Sequence, residues 1–174
     1  FSSILRLSNS KEYKYDWYWE KERLVNIQQV KKRAGKTVET LSVFYLRQPT
    51  YNPQMQAYTG KPRTNRVKAG SLGILTDSNT QKVVEYVDTG LRYPTQVLKF
   101  KRDILTSNLH PTQKPVALME YLIKTYTNEN EQVLDFTMGS GTTGVAAIGC
   151  SRKFIGIEMD ETYYNVAKDR ILSK

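Results

Sequence analysis

The feature that most constrains the fold is a strand–helix–strand unit near the end of the 174-residue chain. Residues 132–135 are typical of a short buried strand, and a glycine turn leads from them into a predicted helix over 141–150. A second strand is predicted over 153–158 and a second helix over 160–172. Because strands joined through a helix run parallel, the unit predicts an α/β fold with a doubly wound sheet.

Two carboxylates flank the glycine turn. Asp135 closes the first strand, Gly139 and Gly141 allow a close backbone approach, and Glu158 ends the next strand. The glycine spacing also matches the dinucleotide fingerprint, but there the first glycine follows the strand almost immediately and admits a pyrophosphate. In this chain three residues intervene, and Asp135 would repel a pyrophosphate but attract an ammonium or sulfonium group. The turn therefore favours S-adenosylmethionine over a redox dinucleotide.

The net charge of +9 is concentrated in one part of the chain. Residues 21–102 hold sixteen basic and five acidic side chains, whereas residues 1–20 are neutral and 103–174 slightly acidic. A localised basic block predicts a polyanionic partner, most simply nucleic acid, and the alternative is a solvated surface of mixed charge. Four closely spaced basic residues in an irregular stretch are the predicted DNA contacts: Lys61, Arg63, Arg66 and Lys68.

The remaining elements are predicted from shorter patterns. Strands are expected over 15–20, 40–46 and 97–100, and a helix is expected to begin at Pro115. The single cysteine, Cys150, excludes an internal disulfide framework. No apolar run has the roughly 18 residues that a membrane-spanning helix requires, and the sequence predicts no metal site.

A further segment carries a resemblance to a known family. His110-Pro111-Thr112-Gln113-Lys114-Pro115, followed by a helix and then by 133–143 and 156–158, resembles the amino methyltransferases of DNA in their beta arrangement. In that arrangement the catalytic half comes first, a target-recognition region follows, and the cofactor half ends the chain. The wider match, including 15–20 and 50–54, is similar to phage and prophage adenine-specific DNA methyltransferases.

The resemblance implies a Rossmann-like S-adenosylmethionine-dependent methyltransferase sheet with an inserted target-recognition region. Residues 1–21 would be a remnant of the catalytic half, 22–105 a returning strand with the recognition region, and 106–174 the cofactor-binding half. The implied reaction is methyl transfer from S-adenosyl-L-methionine to the N6 amine of adenine in double-stranded DNA. The implied cofactor-binding residues are His110, Thr112, Lys114, Pro115, Asp135, Gly139, Ser140, Gly141, Thr142, Thr143 and Glu158.

The catalytic loop of that family is absent from the sequence. The loop reads Asp, Asn or Ser, then two prolines and an aromatic residue, and it holds the extruded base. None of the six prolines adjoins another, and residues 52–55 are the nearest approach, so no catalytic residue is predicted in this chain. Three explanations are open: the loop precedes Phe1, a partner chain supplies it, or the chemistry has been lost.

Alternative functions also follow from the sequence. Cytosine-N4 methyltransferases of DNA share this order of segments and are one alternative. The alternatives from other functional classes are a catalytically dead DNA-binding remnant and a dinucleotide oxidoreductase. The expected location is the cytoplasm of a bacterial or phage-infected cell, with self-association into homo-oligomers as an additional expectation. A truncated sheet would leave apolar faces and an unpaired strand edge exposed, which predicts poor solubility or association in isolation.

Overall fold

The computed structural model of this chain describes residues 2–24, 26–60, 89–103 and 109–174, together with the backbone of 66–67 and 84–85. The chain divides into two compact units. The main unit comprises Phe1–Gln54 and Thr95–Lys174, and the insert unit comprises Met55–Pro94. The domain boundaries predicted from the sequence divide the chain by function and remain predictions.

Helices and short strands alternate in the second half of the main unit, whereas the insert unit holds only two-residue strands in its described part. In chain order the elements are α1 (Ser2–Ser8), β1 (Tyr13–Glu20), β2 (Val38–Phe44), β3 (Gln56–Ala57), β4 (Arg66–Val67), β5 (Val84–Glu85), β6 (Leu91–Arg92), β7 (Val97–Lys99), α2 (Val116–Tyr126), β8 (Gln132–Asp135), α3 (Thr142–Gly149), β9 (Lys153–Gly156) and α4 (Glu161–Leu172). None of the described helices has the length and apolar character that crossing a lipid bilayer requires.

β1 is the central strand of a three-stranded sheet. It pairs antiparallel with β2 and parallel with β7. Because side chains alternate along a strand, Tyr15, Trp17 and Trp19 of β1 share one face, and the two tryptophans are buried there against Leu98 and Leu118. The Trp19 indole N–H donates to the carbonyl of Phe100 at 2.9 Å, which satisfies its one polar atom. The three strands predicted upstream are confirmed, although β2 begins at Val38 and ends at Phe44.

β8 and β9 form a second, parallel sheet. Their register runs from Gln132 opposite Lys153 to Asp135 opposite Gly156. One face of this pair packs on α3, whose Ala146 is fully buried. The predicted strand–helix–strand unit is thereby confirmed, with β9 ending at Gly156, two residues before the predicted end.

The α/β fold class is confirmed, but the predicted continuous sheet is divided in the described residues. No backbone ladder joins β2–β1–β7 to β8–β9. A local hydrophobic pattern predicts where strands form, but it does not determine which strands pair with one another over long distances in sequence. A parallel sheet is normally covered on both faces. The face of β8–β9 away from α3 instead leaves four apolar residues at alternate positions exposed: Leu134, Phe136, Ile155 and Ile157.

The insert unit contains two short antiparallel ladders, β3 with β6 and β4 with β5. The Arg92 guanidinium lies 4.2 Å from the centre of the Tyr58 ring and links the two strand ends. The irregular stretch inferred from the sequence agrees with the two-residue strands in the described part of this unit. Three predicted DNA contacts lie outside the described residues, and the fourth is described as backbone alone; these are Lys61, Arg63, Lys68 and, in β4, Arg66.

Candidate active site

A tight turn over residues 136–141 joins the end of β8 to the start of α3. Within it Gly139 and Gly141 have φ values of +51° and +76°, the left-handed conformation that favours glycine. The Met138 N–H donates to the carbonyl of Ile157 at 3.0 Å and fixes the turn beside the end of β9. The turn therefore lies at the carboxyl ends of both parallel strands, where ligands bind in open α/β sheets.

A cleft of about 280 Å³ lies against this turn. Its volume is close to the lower end of the roughly 300–1,000 Å³ range of small-molecule sites. The predicted cofactor residues that line it are His110, Thr112, Lys114, Asp135, Gly139, Ser140, Thr142 and Thr143. Its other lining residues, which sequence reasoning did not single out, are Gln113, Met119, Thr137 and Met138. The fold thus brings the segment before α2 against the glycine turn.

The three other predicted cofactor residues lie outside the cleft lining. Pro115 is fully buried in front of α2, where it ends the segment that reaches the cleft. Gly141 faces α4, so that a Cβ at this position would lie 2.8 Å from the Cβ of Ala167. Glu158 lies beyond β9 and directs its carboxylate at the backbone of the turn. Their roles toward a cofactor remain predictions.

Asp135 combines a structural role with a place in the cleft. One carboxylate oxygen accepts the N–H of Thr137 at 3.0 Å, and the other accepts the hydroxyl of Thr143 at 2.6 Å. The carboxylate therefore connects the strand end, the turn and the first turn of α3. It also lines the cleft, where a carboxylate can attract a cationic ligand group.

His110 forms the opposite wall. The backbone N–H of Thr112 donates to His110 Nδ1 at 3.2 Å, and the Thr112 hydroxyl lies 3.0 Å from the same atom. A backbone N–H can only donate, so the neutral ring carries its proton on Nε2. The ring also packs edge to face on Tyr163 of α4 at 4.3 Å between centroids. A Cβ at Gly139 would lie 3.4 Å from the His110 ring, an ordinary contact, so it is the φ of +51° that favours glycine at this position.

Lys114 is held by a residue that sequence reasoning missed. Its ammonium lies 3.2 Å from the carboxylate of Glu39 on β2 and donates to the Thr112 carbonyl. Glu39 also pairs with Lys21, which directly follows β1. Burial raises the pKa of the Glu39 carboxyl, but the hydrogen bonds and charges of Lys21 and Lys114 outweigh it and the pKa is lowered. One carboxylate thus joins the cleft to the ends of β1 and β2.

Glu158 closes the turn rather than facing the cleft. Its carboxylate accepts the backbone N–H groups of Gly139 at 2.8 Å, Met159 at 2.9 Å and Asp160 at 3.0 Å. Hydrogen bonds from the Asp160 and Gly139 N–H groups hold the pKa of the Glu158 carboxyl below its usual range. These bonds use three of about four acceptor positions of the carboxylate. Any cofactor group that binds Glu158 would therefore share this carboxylate with the turn.

Replacing Glu158 by Gln should lower the melting temperature near neutral pH, and the difference should disappear in acid. Because the folded-state pKa is lowered, the contribution of Glu158 is complete above its unfolded-state pKa of about 4.3. It is lost as the pH falls through the lower folded-state pKa. Thermal unfolding of both proteins from about pH 7 to about pH 3 measures this loss.

Glu161→Gln is the matched control, because Glu161 is an exposed carboxylate in the first turn of α4. Its melting temperature should follow that of the parent across the same range. A constant difference between Glu158→Gln and the parent at every pH would contradict the assigned hydrogen bonds.

Arg170 of α4 hydrogen-bonds to the glycine turn, and it is a second residue that the sequence did not predict. Its guanidinium donates to the Ser140 carbonyl at 2.5 Å and lies 3.2 Å from the Ser140 hydroxyl. Burial lowers the pKa of the guanidinium, and the charge of Asp103 opposes that shift. The signal in the sequence was helical spacing, since Arg170 lies one turn after Ala167, against which Gly141 packs.

The segment nearest to a catalytic loop in sequence has a structural role. The Asn52 side chain donates to the carbonyls of Lys124 and Thr127, both at 3.2 Å, and its backbone N–H donates to the Thr125 carbonyl at 2.7 Å. These bonds satisfy carbonyls at the end of α2 that lack partners within the helix. The prediction that this segment is a non-catalytic loop agrees with these contacts. In the described part of the chain, no cluster of three His, Cys, Asp or Glu side chains could hold a metal ion.

The sequence profile of a family described as DNA methylase matches residues 2–169. Type II methyltransferase M2.LlaDCHI of Lactococcus lactis subsp. cremoris is 50% identical over 62 residues, which are 36% of this chain and 23% of that protein. DNA adenine methyltransferase YhdJ of Escherichia coli (strain K12) is 47% identical over 62 residues, 36% of this chain and 21% of that protein. The matched segment thus spans less than a quarter of either curated relative.

Solved structures share the fold over almost the whole chain. The crystal structure of the M1.HpyAVI-SAM complex superposes with a TM-score of 0.64 at 28% identity, covering 98% of this chain and 69% of that one. The cytosine-N4-specific PvuII DNA methyltransferase superposes with a TM-score of 0.65 at 21% identity, covering 98% of this chain and 55% of that one. Since the family match extends from residue 2 to residue 169, the chain belongs to the DNA methylase family.

Proposed function

We propose that this chain is the cofactor-binding and target-recognition part of an S-adenosyl-L-methionine-dependent DNA methyltransferase specific for the N6 amine of adenine. The observation that carries the proposal is the cleft between the segment before α2 and the glycine turn. A similar protein, M1.HpyAVI, was solved as its SAM complex. Such an enzyme would act on double-stranded DNA in the cytoplasm of a bacterial or phage-infected cell.

The charges of the cleft fit a zwitterionic methyl donor. The Lys114 ammonium and the Asp135 carboxylate both line it, one suited to an amino-acid carboxylate and the other to an ammonium or sulfonium. Gly139 also lines the cleft, and because it has no side chain its backbone is open to a ligand there. A dinucleotide fits less well, since its pyrophosphate would lie beside the Asp135 carboxylate.

Each lining group then has a separate task. Asp135 attracts positive charge and keeps the turn in place through Thr137 and Thr143. His110, braced by Tyr163, presents a fixed ring face and an Nε2–H donor to the cleft wall. When bound, S-adenosyl-L-methionine supplies a methyl group activated by its sulfonium. The protein side of the reaction is orientation of that group and exclusion of water.

The acceptor base needs a loop that these 174 residues do not contain, since no two prolines in the sequence are adjacent. The proposal therefore assigns the acceptor loop to polypeptide outside these residues, either in the same chain or in a partner. Extrusion of the base and acceptance of its amine hydrogens would be tasks of that loop.

We propose adenine as the target base, and not cytosine, because of the similarity to one relative. YhdJ, named a DNA adenine methyltransferase, is 47% identical over its matched segment, whereas the cytosine-N4 enzyme PvuII at 21% identity supports the fold alone. Relatives named Type II methyltransferases support a place in restriction and modification. Nucleoside mass spectrometry of DNA, from cells that express the reading frame encoding this chain, would distinguish N6-methyladenine, N4-methylcytosine and unmodified DNA.

Isothermal titration calorimetry tests the cofactor directly. S-adenosylmethionine and S-adenosylhomocysteine should each bind at one site, whereas NAD should give no heat of binding. Preferential binding of NAD would overturn the proposal, and so would the absence of binding by both methionine derivatives. This measurement does not depend on the acceptor loop, so an inactive chain still gives a decisive result.

A further inference from the structure

The loop between β1 and β2, residues 21–37, has no role in the site described so far; it is called the β1–β2 loop. It begins where β1 ends, and the Lys21 N–H donates to the Thr37 carbonyl at 2.7 Å, which closes its base. Lys21 and the cleft residue Lys114 share the Glu39 carboxylate. The base of the loop is thereby fixed near the cleft.

The loop is strongly basic and exposed. It contains six basic residues and one acidic residue. The five cations beyond its base are exposed, and none of them lies within ion-pair distance of a carboxylate in the part of the chain that the structure describes. These five are Arg23, Lys31, Lys32, Arg33 and Lys36.

A solvated charge run would be the simpler explanation, but neighbouring cations behave differently. Lys99 and Lys101, at the end of β7, pair with Glu20 at 3.2 Å and with Glu22 at 3.8 Å. The single acidic residue of the loop, Glu22, is therefore already paired with Lys101, two residues after β7. Among the residues that the structure describes, these five cations have no carboxylate partner, so they repel one another, and an external anion would relieve that repulsion.

The described residues of the loop, 21–24 and 26–37, are also held in a defined shape. A 3₁₀ turn spans Ile27–Gln29, and the Asn26 side chain accepts the Lys36 N–H at 2.6 Å and donates to the Ala34 carbonyl at 3.4 Å. Asn26 thus ties the two sides of the loop together. A loop ordered in this way loses less conformational entropy on binding than a flexible basic tail does.

We propose that the β1–β2 loop binds the phosphate backbone of the DNA substrate, as a contact separate from the insert unit. Duplex DNA fits, because a row of phosphates can neutralise several cations at once, with release of counterions. The loop supplies affinity and position, and it reads no base sequence. This inference rests on the proposed function, since it takes DNA as the partner.

The test replaces the five cations together by Gln and measures binding of a fluorescently labelled duplex by anisotropy over a range of salt concentrations. Each lost phosphate contact should reduce the magnitude of the slope of log K against log salt by about 0.9, so the loss should be at most about 4.5. At about 0.1 M salt the affinity should fall at least about tenfold. Lys21 is kept, because its pairing with Glu39 belongs to the cleft.

A control variant of equal charge loss carries Gln at five exposed lysines outside the loop. Lys11 lies just before β1 and Lys14 on it, and Lys124 lies in the last turn of α2. Lys153 begins β9, and Lys174 is the last residue of the sequence. The control should reduce the slope by less than half as much as the loop variant. Equal slopes for the two variants, or a loop variant with the parent slope, would overturn the loop assignment.

The inference and the proposed function fail in distinguishable ways. If the parent protein binds no duplex DNA, then DNA is not its partner, and both the proposed function and the proposed role of the loop are wrong. If the parent binds duplex and the loop variant binds equally well, only the loop assignment is wrong. S-adenosylmethionine affinity should be the same in parent and loop variant, which shows that the variant is folded.

Discussion

Asp135→Asn should weaken binding of S-adenosylmethionine about a hundredfold or more while the chain stays folded. The amide has the shape of the carboxylate, so its oxygen can still accept the Thr137 N–H, and its NH₂ group can donate to the Thr143 hydroxyl. What the substitution removes is the negative charge in the cleft. Losing the partner of a desolvated cation typically costs about 2–5 kcal/mol of binding free energy.

Calorimetry with S-adenosylmethionine measures this effect, and Thr143→Val separates charge from turn support. That variant deletes the hydroxyl bonded to Asp135 at 2.6 Å and leaves the charge in place. A lost neutral–charged hydrogen bond is worth about 1.5–3 kcal/mol at most, and less where the partner stays hydrated. Undiminished affinity in Asp135→Asn would contradict the charge argument, and equal losses in both variants would reduce Asp135 to a support of the turn.

The second large effect is on stability. Gly141→Ala should lower the free energy of unfolding by about 2–5 kcal/mol, because two penalties add. The φ of +76° places the new side chain in the left-handed region, and the new Cβ would lie 3.0 Å from the Cα and 2.8 Å from the Cβ of Ala167. The obstruction is the backbone of α4, which cannot rotate away as a flexible side chain would.

Urea unfolding followed by circular dichroism measures the change, and the same helix offers the matched control. Gly149→Ala, in the last turn of α3, meets only the Glu120 side chain, at 3.5 Å, an ordinary contact. This substitution should be neutral or stabilising by up to about 1 kcal/mol, since Ala is the better helix former. A parent-like midpoint for Gly141→Ala would show that α4 does not pack on the turn as described.

Local patterns were sufficient for the elements that surround the site. The hydrophobic run ending at Asp135 and the glycines after it predicted β8, the turn and α3, because strand, turn and helix depend on neighbouring residues. The position of His110 in the cleft came instead from the family resemblance. Nothing in the local sequence before α2 indicates that its side chains reach the turn.

Other parts of the site required tertiary structure. Glu39 lies far from Lys114 in sequence, and only the packing of β2 near the segment before α2 brings them together. Arg170 reaches the Ser140 carbonyl because α4 crosses beneath the turn. The family resemblance placed Glu158 among the cofactor-binding residues, whereas its three backbone hydrogen bonds depend on how the turn folds against β9.

The Glu39 carboxylate also has a thermodynamic consequence. It is shared between Lys21, at the base of the β1–β2 loop, and Lys114, in the cleft. A polyanion bound to the loop that weakens the ion pair of Glu39 with Lys21 would leave Glu39 free to pair more strongly with Lys114. The affinity of the cleft for its ligand would then change by some factor. Linkage then requires that the ligand alter polyanion affinity by the same factor, so the two binding equilibria form a closed cycle.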